Sequence, residues 1–169
     1  MINVRGIFNY MSDYIKYIRN FVGHNTVLQC GASVIIENDK GEILLQLRTD
    51  NNCWGYIGGS VELDEIVENA AKREMYEETS LIAEELNLFG IFSGPELHYV
   101  YPNGDEVSNI DIVFICRRYT GKCTADGIEG KELRFFNINE LPENISPPIK
   151  TVIKKYVEFR KNNYQEVVN

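Results

Sequence analysis

Residues 58–81 read GGSVELDEIVENAAKREMYEETSL. From residue 64 to residue 79 the apolar residues recur at helical spacing and share one side; they are Ile66, Val67, Ala70, Ala71 and Met75. The same segment carries a set of glutamates at offsets of three and four residues, and these offsets place the carboxylates on one helical face. Because like charges repel at this spacing, the acidic face needs either solvent or a cation.

The acidic face consists of Glu74, Glu77 and Glu78. Taken alone, three such glutamates favour an ordinary solvated surface. Gly58 and Gly59 shift this balance, because they let the backbone bend ahead of the helix and turn a carbonyl outward. Hard cations take carboxylate and carbonyl oxygens together. We therefore expect a Mg²⁺ platform here, with Mn²⁺ as an alternative ion, and a Glu65–Arg73 ion pair that ties the loop to the helix.

These residues match the Nudix box, whose pattern is Gly, five residues, Glu, seven residues, Arg-Glu, an aliphatic residue, any residue, Glu-Glu, any residue, Gly, and an aliphatic residue. The matching residues are Gly59, Glu65, Arg73, Glu74, Met75, Glu77, Glu78 and Leu81. Ser80 stands where the family has glycine, and we expect a small stability penalty of about 1 kcal/mol if its backbone must adopt a glycine-like conformation. The chain resembles the Nudix hydrolases, with a domain at residues 26–169, its box at 59–81, and a helical extension at 1–25.

The resemblance implies an α/β fold, specifically an α/β/α sandwich with a mixed β-sheet, plus the added N-terminal helix. It implies a Mg²⁺-dependent hydrolase that cleaves the phosphoanhydride of a nucleoside diphosphate linked to another group. ADP-ribose, dinucleoside polyphosphates and (deoxy)nucleoside triphosphates are the substrate classes that it leaves open. A metal-bound water would attack one phosphorus in line.

Site residues carry over from the same resemblance. The implied metal ligands are Glu74, Glu77 and Glu78, together with the backbone carbonyl of Gly58 or Gly59. Arg73 is carried over with Glu74 and Glu77 into the catalytic set, and Glu65 into the structural part of the box; Arg73 and Glu65 orient the helix and loop. For the general base we expect an acid from the loop at residues 124–131, with Glu129 first and Glu132 second, although both also fit ordinary surface acids.

Aromatic residues near the box are candidates for stacking on a nucleobase. They are Trp54, Tyr56, Tyr99 and Tyr101, with Phe92 as a further aromatic residue. For each of them, burial in the core or packing on the surface is the competing interpretation.

The net charge of −8 argues against a nucleic-acid-binding module, because such a module neutralises phosphates with lysine and arginine. A small phosphorylated substrate stays compatible, since a divalent cation can supply positive charge. The four cysteines are scattered without a C-x-x-C pair, which indicates reduced thiols. No apolar run approaches the roughly 20 residues that span a membrane, and the start lacks a secretory pattern, so we expect a cytoplasmic protein.

The remaining pattern predicts helices at residues 8–22 and 149–161 and strands at 27–36, 42–47, 86–92, 108–119 and 132–136. The turn at residues 38–41 predicts a hairpin between the first two strands. The first helix has an apolar face that packs on its own domain or forms a homodimer contact. This face consists of Met11, Tyr14, Ile15, Ile18 and Phe21.

Two other functions compete with a small-molecule hydrolase. One is a non-catalytic Nudix module that senses a nucleotide, but the intact box acids argue against it. The other is an RNA 5′-end pyrophosphohydrolase, which the acidic composition disfavours.

Overall fold

The computed structural model describes residues 14–167, with side chains to residue 162. In chain order they form α1 (Tyr14–Val22), β1 (Val27–Ile36), β2 (Ile43–Arg48), β3 (Trp54–Gly55), β4 (Ile57–Ser60), α2 (Val67–Thr79), β5 (Leu81–Phe92), β6 (His98–Val100), β7 (Glu106–Gly121), β8 (Gly130–Phe136) and α3 (Lys150–Val167). Short 3₁₀ turns at Pro95–Leu97 and Pro147–Ile149 precede β6 and α3.

The strands of this part of the chain form two sheets. The larger sheet has the order β4-β1-β7-β5, with β6 beside β7, and the smaller sheet has the order β3-β2-β8. In the larger sheet β1 and β7 run parallel, whereas β4, β5 and β6 pair antiparallel with their neighbours. This sheet is therefore mixed, as the sequence predicted.

Side chains alternate along β1 and fill a core on each face of the larger sheet. Ala32, Val34 and Ile36 belong to the core that α2 covers with Ala70, Ala71 and Met75. Ile35 belongs to the opposite core, which α3 covers with Val152, Ile153 and Tyr156. Period-two alternation in the strand thus feeds two helical layers. The expected α/β/α sandwich is confirmed.

The predicted hairpin is wrong in its strand pairing. Its turn forms, with the Gly41 amide donating to the Asn38 carbonyl at 2.8 Å. Only one bridge, between Glu37 and Ile43, follows before the two strands separate into different sheets. The reason is that β4 and β7 occupy both edges of β1, so β2 pairs with β3 and β8 instead.

Helix α2 begins at Val67, three residues later than the apolar pattern predicted. Asp64 has a positive φ of 62° and Ile66 is extended, so neither residue has a helical backbone. Ile66 is largely exposed and does not join the apolar face. The strands β5 and β7 are longer than their predicted runs, because antiparallel pairing continues from Leu81 opposite Gly121 to Phe92 opposite Asp111.

Helix α1 is held to the rest of the domain by polar contacts of Arg19, and its apolar residues are at most half-buried. Ile15 and Ile18 are half-buried, whereas Phe21, which was expected on the packed face, is 72% exposed. Arg19 donates to the Glu106 carbonyl at 2.8 Å and lies 3.6 Å from the Asp105 carboxylate. Met11, the other residue predicted for this face, lies outside the described residues. Among residues 14–167 no helix is long and apolar enough to cross a membrane.

Candidate functional site

The approach to α2 is built on two glycines that leave no room for a side chain. At Gly58, where φ is +153°, a Cβ atom would lie 2.4 Å from Ser33 Oγ. At Gly59 it would lie 2.5 Å from the carboxylate of Glu74. The backbone of this segment therefore passes against a helix carboxylate, as the sequence predicted for Gly58 and Gly59.

Arg73 connects the loop to the helix. Its Nε and Nη2 donate to the two carboxylate oxygens of Glu65 at 2.8 and 2.9 Å, which is the expected ion pair in bidentate form. Its Nη1 donates to Glu74 at 2.7 Å and to Glu77 at 3.1 Å. Its Nη2 also donates to the Ser60 carbonyl at 3.1 Å. One guanidinium thus fixes the loop and two of the box carboxylates.

The end of α2 has a glycine-like backbone conformation at Ser80, the residue that departs from the box pattern. Ser80 lies in the left-handed region, with φ 60° and ψ 14°, and its amide donates to the Tyr76 carbonyl at 2.8 Å. This is a C-terminal cap that glycine adopts without steric cost. Ser80 therefore has the glycine-like backbone conformation for which the strain was expected, two residues after Glu78.

The three box glutamates do not have the same environment. Glu74 and Glu78 are buried, whereas the side chain of Glu77 is 56% exposed and lies against Arg73. Burial raises the pKa of Glu74, although the ion pair with Arg73 opposes this shift. Burial raises the pKa of Glu78 well above its usual range, and repulsion from Glu129 and Glu74 adds to the shift more than the charge of Arg48 opposes it. Glu74 thus has a cationic partner, whereas Glu78 forms no ion pair with any described residue.

Glu78 has one oxygen satisfied and one open. Oε2 accepts a hydrogen bond from the side-chain amide of Gln46 at 2.5 Å. Oε1 is buried and has no hydrogen-bond partner among the described residues. A buried carboxylate oxygen without a partner carries a free-energy cost that a bound cation would remove.

A divalent cation fits this arrangement. The available donors are carboxylate and backbone oxygens, which are the ligands that Mg²⁺ prefers. Within residues 14–167, however, no three acidic, histidine or cysteine side chains converge on one point. Arg73 contacts the carboxylates of both Glu74 and Glu77, whereas Glu78 is turned away from it, so the joint ligand set of Glu74, Glu77 and Glu78 stays a prediction.

Glu129 lies on a loop that faces the box acids. Its charge acts on both Glu74 and Glu78. The loop is held in place by Asp126, which accepts from the amides of residues 128–130, and by Thr49, whose amide donates to the Glu129 carbonyl at 2.9 Å. The second candidate base, Glu132, instead forms an ion pair with Arg134.

A polar cavity of about 110 Å³ opens beside the glycine loop. Its walls come from β1, β7, the end of β2, the loop before the box and the turns that precede β6 and α3. The residues that line it are Gln29, Gly31, Ser33, Arg48, Gly55, Tyr56, Gly58, Gly59, Leu97, Tyr101, Asn109, Asp111, Ser146, Pro148 and Ile149. Gly59 belongs to this wall and passes against the carboxylate of Glu74, so the cavity lies next to the box acids.

The wall of this cavity contains a buried acid, Asp111. Ser33 Oγ donates to its Oδ1 at 2.7 Å and the Tyr56 hydroxyl donates to its Oδ2 at 2.6 Å. Burial raises the pKa of Asp111, and burial beside this acid raises the pKa of Tyr56. A Cβ atom at Gly31 would lie 3.3 Å from Asp111 and 3.6 Å from the Gly59 carbonyl, so glycine keeps this part of the wall open.

Arg48 supplies positive charge to the same cavity. Its guanidinium donates to both oxygens of Asp50, at 2.9 and 2.8 Å. Burial opposes its charge, but this pairing with Asp50 raises the pKa of Arg48 above its ordinary value. The guanidinium therefore remains charged and directed beside the cavity.

The four aromatic candidates separate into two groups. Tyr56 and Tyr101 line the cavity, and Tyr99 packs edge-on against Tyr101 with ring centroids 4.9 Å apart. Trp54 does not line the cavity; it lies in the core, 7% exposed, and packs edge-on against Phe136. The expectation that Trp54 stacks on a base is thus not met, because its ring is taken up by the core.

Arg48, Gln46 and Asp111 were not among the predicted site residues. Gln46 and Asp111 carried a signal, since each is a polar residue inside an apolar strand run. A buried polar side chain requires a partner or a function. The spacing along the chain could not show which, because the partners of Gln46 and Asp111 lie 32 or more residues away.

Comparisons with known proteins agree on one family. A family model described as the NUDIX domain matches residues 27–156. An ADP-ribose pyrophosphatase of Methanocaldococcus jannaschii is 38% identical over 129 residues, which cover 75% of this chain and 71% of that protein. A Bacillus subtilis protein, named provisionally as an 8-oxo-dGTP diphosphatase, is 32% identical over 137 residues, which cover 81% and 83% of the two chains.

Solved structures give the same fold. The MutT protein from Methanosarcina mazei superposes with a TM-score of 0.65 at 21% identity, covering 82% of this chain and 97% of that chain. At this identity the likeness concerns the fold alone. The family model, by contrast, spans most of the chain and includes the complete box. The chain therefore belongs to the Nudix hydrolase family.

Proposed function

We propose that the protein is a Mg²⁺-dependent pyrophosphohydrolase that cleaves the phosphoanhydride of a nucleoside diphosphate linked to another group, with ADP-ribose as the first candidate substrate. The observation that carries this proposal is the buried carboxylate of Glu78, which has one oxygen without a hydrogen-bond partner among the described residues and lies beside the buried Glu74. A site of this composition suits a cation together with a phosphorylated ligand.

The metal would be held by Glu74 and Glu78, with Glu77 and a backbone carbonyl of Gly58 or Gly59 as further ligands. When bound, the cation acidifies water and neutralises charge on the phosphate oxygens. Mn²⁺ has the same preference for oxygen ligands and is expected to substitute.

Two residues complete the hydrolytic machinery in this proposal. Arg73 positions Glu74 and Glu77 through the hydrogen bonds described above. Glu129, whose charge already acts on the box acids, accepts a proton from the attacking water. Hydrogen bonds to Asp126 hold the backbone of the loop that carries Glu129.

The cavity would hold the nucleoside part of the substrate. Arg48 is the cation best placed to contact a substrate phosphate, because it is charged and lines the wall next to the glycine loop. Tyr101 offers an aromatic face, braced by Tyr99. Asp111 offers an acceptor to a neutral N–H or O–H group and repels phosphate, which favours the sugar or base at this end.

The choice of ADP-ribose is supported by the 38% identity to the archaeal ADP-ribose pyrophosphatase. The bacterial relative at 32% identity makes an oxidised deoxynucleoside triphosphate the second candidate. The two candidates differ in their products. ADP-ribose yields AMP and ribose 5-phosphate, whereas 8-oxo-dGTP yields a nucleoside monophosphate and pyrophosphate.

The test is hydrolysis of a substrate panel, with products separated by chromatography and new phosphomonoesters revealed by added phosphatase. The panel contains ADP-ribose, dinucleoside polyphosphates, 8-oxo-dGTP, ordinary nucleoside triphosphates and RNA with a 5′-triphosphate or cap. Each reaction is run with Mg²⁺, with Mn²⁺ and with chelator, beside Glu78→Gln. We expect ADP-ribose to be cleaved fastest, only with metal and only by the wild type.

The other outcomes discriminate the alternatives. Faster cleavage of a triphosphate or of RNA would replace the substrate but keep the reaction. Tight nucleotide binding without cleavage of any compound would favour a nucleotide sensor. Cleavage that persists in chelator would contradict the metal-dependent mechanism.

A further inference from the structure

Gln46 is a polar residue at a position where β2 is otherwise apolar. Its neighbours Ile43, Leu44 and Leu45 are core residues, and Gln46 itself is fully buried at 0% exposure. A glutamine that loses all contact with water requires partners for both its amide nitrogen and its carbonyl oxygen. Its presence here is therefore not explained by packing alone.

The amide nitrogen of Gln46 has one partner, and that partner is Glu78. Nε2 donates to Glu78 Oε2 at 2.5 Å, across 32 residues of sequence. The other terminal oxygen of each side chain is buried and lacks a hydrogen-bond partner in the described part of the chain; these atoms are Gln46 Oε1 and Glu78 Oε1. A buried polar atom without a partner destabilises the folded protein when nothing is bound to it. The two such atoms lie in one hydrogen-bonded pair, which indicates a functional cause.

The same side chain lies against the loop of the candidate general base. A Cβ atom at Gly130 would lie 2.5 Å from Gln46 Oε1, so glycine at this position leaves space for the amide. Gly130 follows Glu129 directly, and its own N–H donates to Asp126 at 3.1 Å. Gln46 thus fills the gap between Glu78 on α2 and the segment that carries Glu129.

We propose that Gln46 is a positioning residue: it holds Glu78 so that Oε1 stays directed to the divalent cation. This inference rests on the proposed metal-dependent function. An amide suits the task because it donates a hydrogen bond without adding charge. An arginine or lysine at this position would neutralise Glu78 and compete with the cation, whereas an apolar residue would leave the carboxylate free to rotate away.

The test measures binding of Mn²⁺ alone, without substrate, by electron paramagnetic resonance of the full chain. The variants are Gln46→Leu, Glu78→Gln and the double variant. Ile43→Val, a buried change on the same strand that leaves both polar residues in place, is the matched control for loss of strand stability. Gln46→Met keeps the unbranched length and serves if the leucine variant does not fold.

The expected result is that Gln46→Leu weakens Mn²⁺ binding by about 10- to 100-fold, the range for residues that orient a metal ligand. Ile43→Val is expected to bind like the wild type. In the double variant the glutamine change should add nothing to the effect of Glu78→Gln, since Gln46 acts through Glu78. In turnover, Gln46→Leu should lower kcat and raise the Mg²⁺ requirement while the substrate KM stays unchanged.

Two results would overturn the inference. One is Mn²⁺ binding by Gln46→Leu or Gln46→Met as tight as that of the wild type. The other is an effect that adds in full to that of Glu78→Gln, which would mean that Gln46 acts elsewhere. If the wild type itself bound no Mn²⁺, the metal-dependent function would fail first, and that outcome is distinguishable from both.

Discussion

Two glutamates are buried to nearly the same extent and have opposite surroundings. Glu37, at the end of β1, is 6% exposed, and Glu78, on α2, is 2% exposed. Both are charged side chains removed from water, and burial alone would raise the pKa of either one. Cationic side chains offset the cost of burying the charge of Glu37, whereas Glu78 has no such ion pair among the described residues.

Glu37 is compensated by residues of the chain itself. Its carboxylate accepts hydrogen bonds from Tyr156 and from Arg117, whose Nε lies 3.1 Å away, and forms an ion pair with Arg160. Burial opposes ionisation, but these donors and cations hold the pKa of Glu37 below its usual range. The cluster joins the end of β1 to α3. It is complete without any ligand.

Glu78 accepts a hydrogen bond from the neutral side chain of Gln46 and forms no ion pair with a described residue. Repulsion from Glu129 and Glu74 exceeds the attraction from Arg48, whose guanidinium is paired with Asp50. We infer that Glu37 serves the fold, whereas the charge of Glu78 is left for an external cation.

The largest expected effect is on catalysis. Glu78→Gln should lower kcat/KM by about 1,000-fold, because a neutral amide cannot share charge with a cation that stabilises the transition state by several kcal/mol. Glu37→Gln should leave kcat/KM close to the wild-type value at any temperature where the variant is folded. Steady-state kinetics with saturating Mg²⁺ checks both, and equal losses in the two variants would remove the distinction.

Stability should change in the opposite order. In chelator, Glu37→Gln is expected to lower the free energy of unfolding by about 3 kcal/mol, because it removes the buried negative charge that Arg117 and Arg160 both contact. Glu78→Gln should cost nothing or stabilise the metal-free protein, since it removes a buried charge that lacks a counterion. Urea unfolding of both variants measures this. A large loss in Glu78→Gln would show that its charge is already compensated.

The pH dependence should also have opposite signs. Folding raises the pKa of Glu78 above its ordinary 4.5, so its contribution to stability is complete below that pH and is lost as pH rises through the folded value. Folding lowers the pKa of Glu37, so its contribution is complete above 4.5 and is lost as pH falls through the folded value. Urea unfolding of metal-free protein should therefore lose the neutral-side decline in Glu78→Gln and the acid-side decline in Glu37→Gln.

Added Mg²⁺ should change only the part of the pH–stability profile that depends on Glu78. At a concentration 100 times its dissociation constant it stabilises the folded state by about 2.7 kcal/mol at neutral pH. The gain should shrink as pH falls through the raised pKa of Glu78, because protons then compete with the cation for this ligand. The acid-side loss that belongs to Glu37 should be the same with or without Mg²⁺.

A smaller effect is expected at Arg73, whose guanidinium contacts two of the box acids. Arg73→Lys loses the bidentate contact with Glu65 and cannot hold Glu74 and Glu77 at the same time. We expect about 1–2 kcal/mol less stability and a fall in kcat of about tenfold, which corresponds to 1.4 kcal/mol. Lys72→Arg, at the exposed neighbouring position, is the matched control and should change neither quantity. A wild-type kcat in Arg73→Lys would mean that Arg73 stabilises the loop and does not contribute to catalysis.

The smallest effect is at the helix end. Ser80→Gly should raise the free energy of unfolding by about 1 kcal/mol and the melting temperature by about 2–4 °C, because φ is +60° there. Ser93→Gly is the control, since Ser93 is exposed and has no positive φ, and it should not stabilise the protein. Both variants are measured by calorimetry, and an equal shift in their melting temperatures would contradict the argument from the backbone conformation of Ser80.

The sequence predicted the parts of the molecule that depend on short spacing. The fixed gaps from residue 59 to residue 81 predicted α2, the Glu65–Arg73 pair and the strain at Ser80, all of which the structure contains. The pattern also predicted a mixed sheet between helices. These features are local, or they follow from a family pattern in which the same spacing recurs.

Features that depend on competition between distant segments were not predictable in this way. The turn at residues 38–41 was read correctly, but β2 lost its place beside β1 to β4 and β7. The same limit hid Gln46 and Asp111, whose partners come from other elements. The sequence left base stacking and core burial open for Trp54, and the structure places its ring in the core beside Phe136.

If Glu78 binds a divalent cation and Glu37 serves only the fold, a calorimetric titration of Mg²⁺ into the metal-free wild type, Glu78→Gln and Glu37→Gln at pH 7.5 will separate the two residues. We expect the wild type and Glu37→Gln to bind Mg²⁺ with similar affinity and Glu78→Gln to lose most of that affinity. Equal Mg²⁺ affinity in the wild type and Glu78→Gln would mean that Glu78 is not a ligand of the cation.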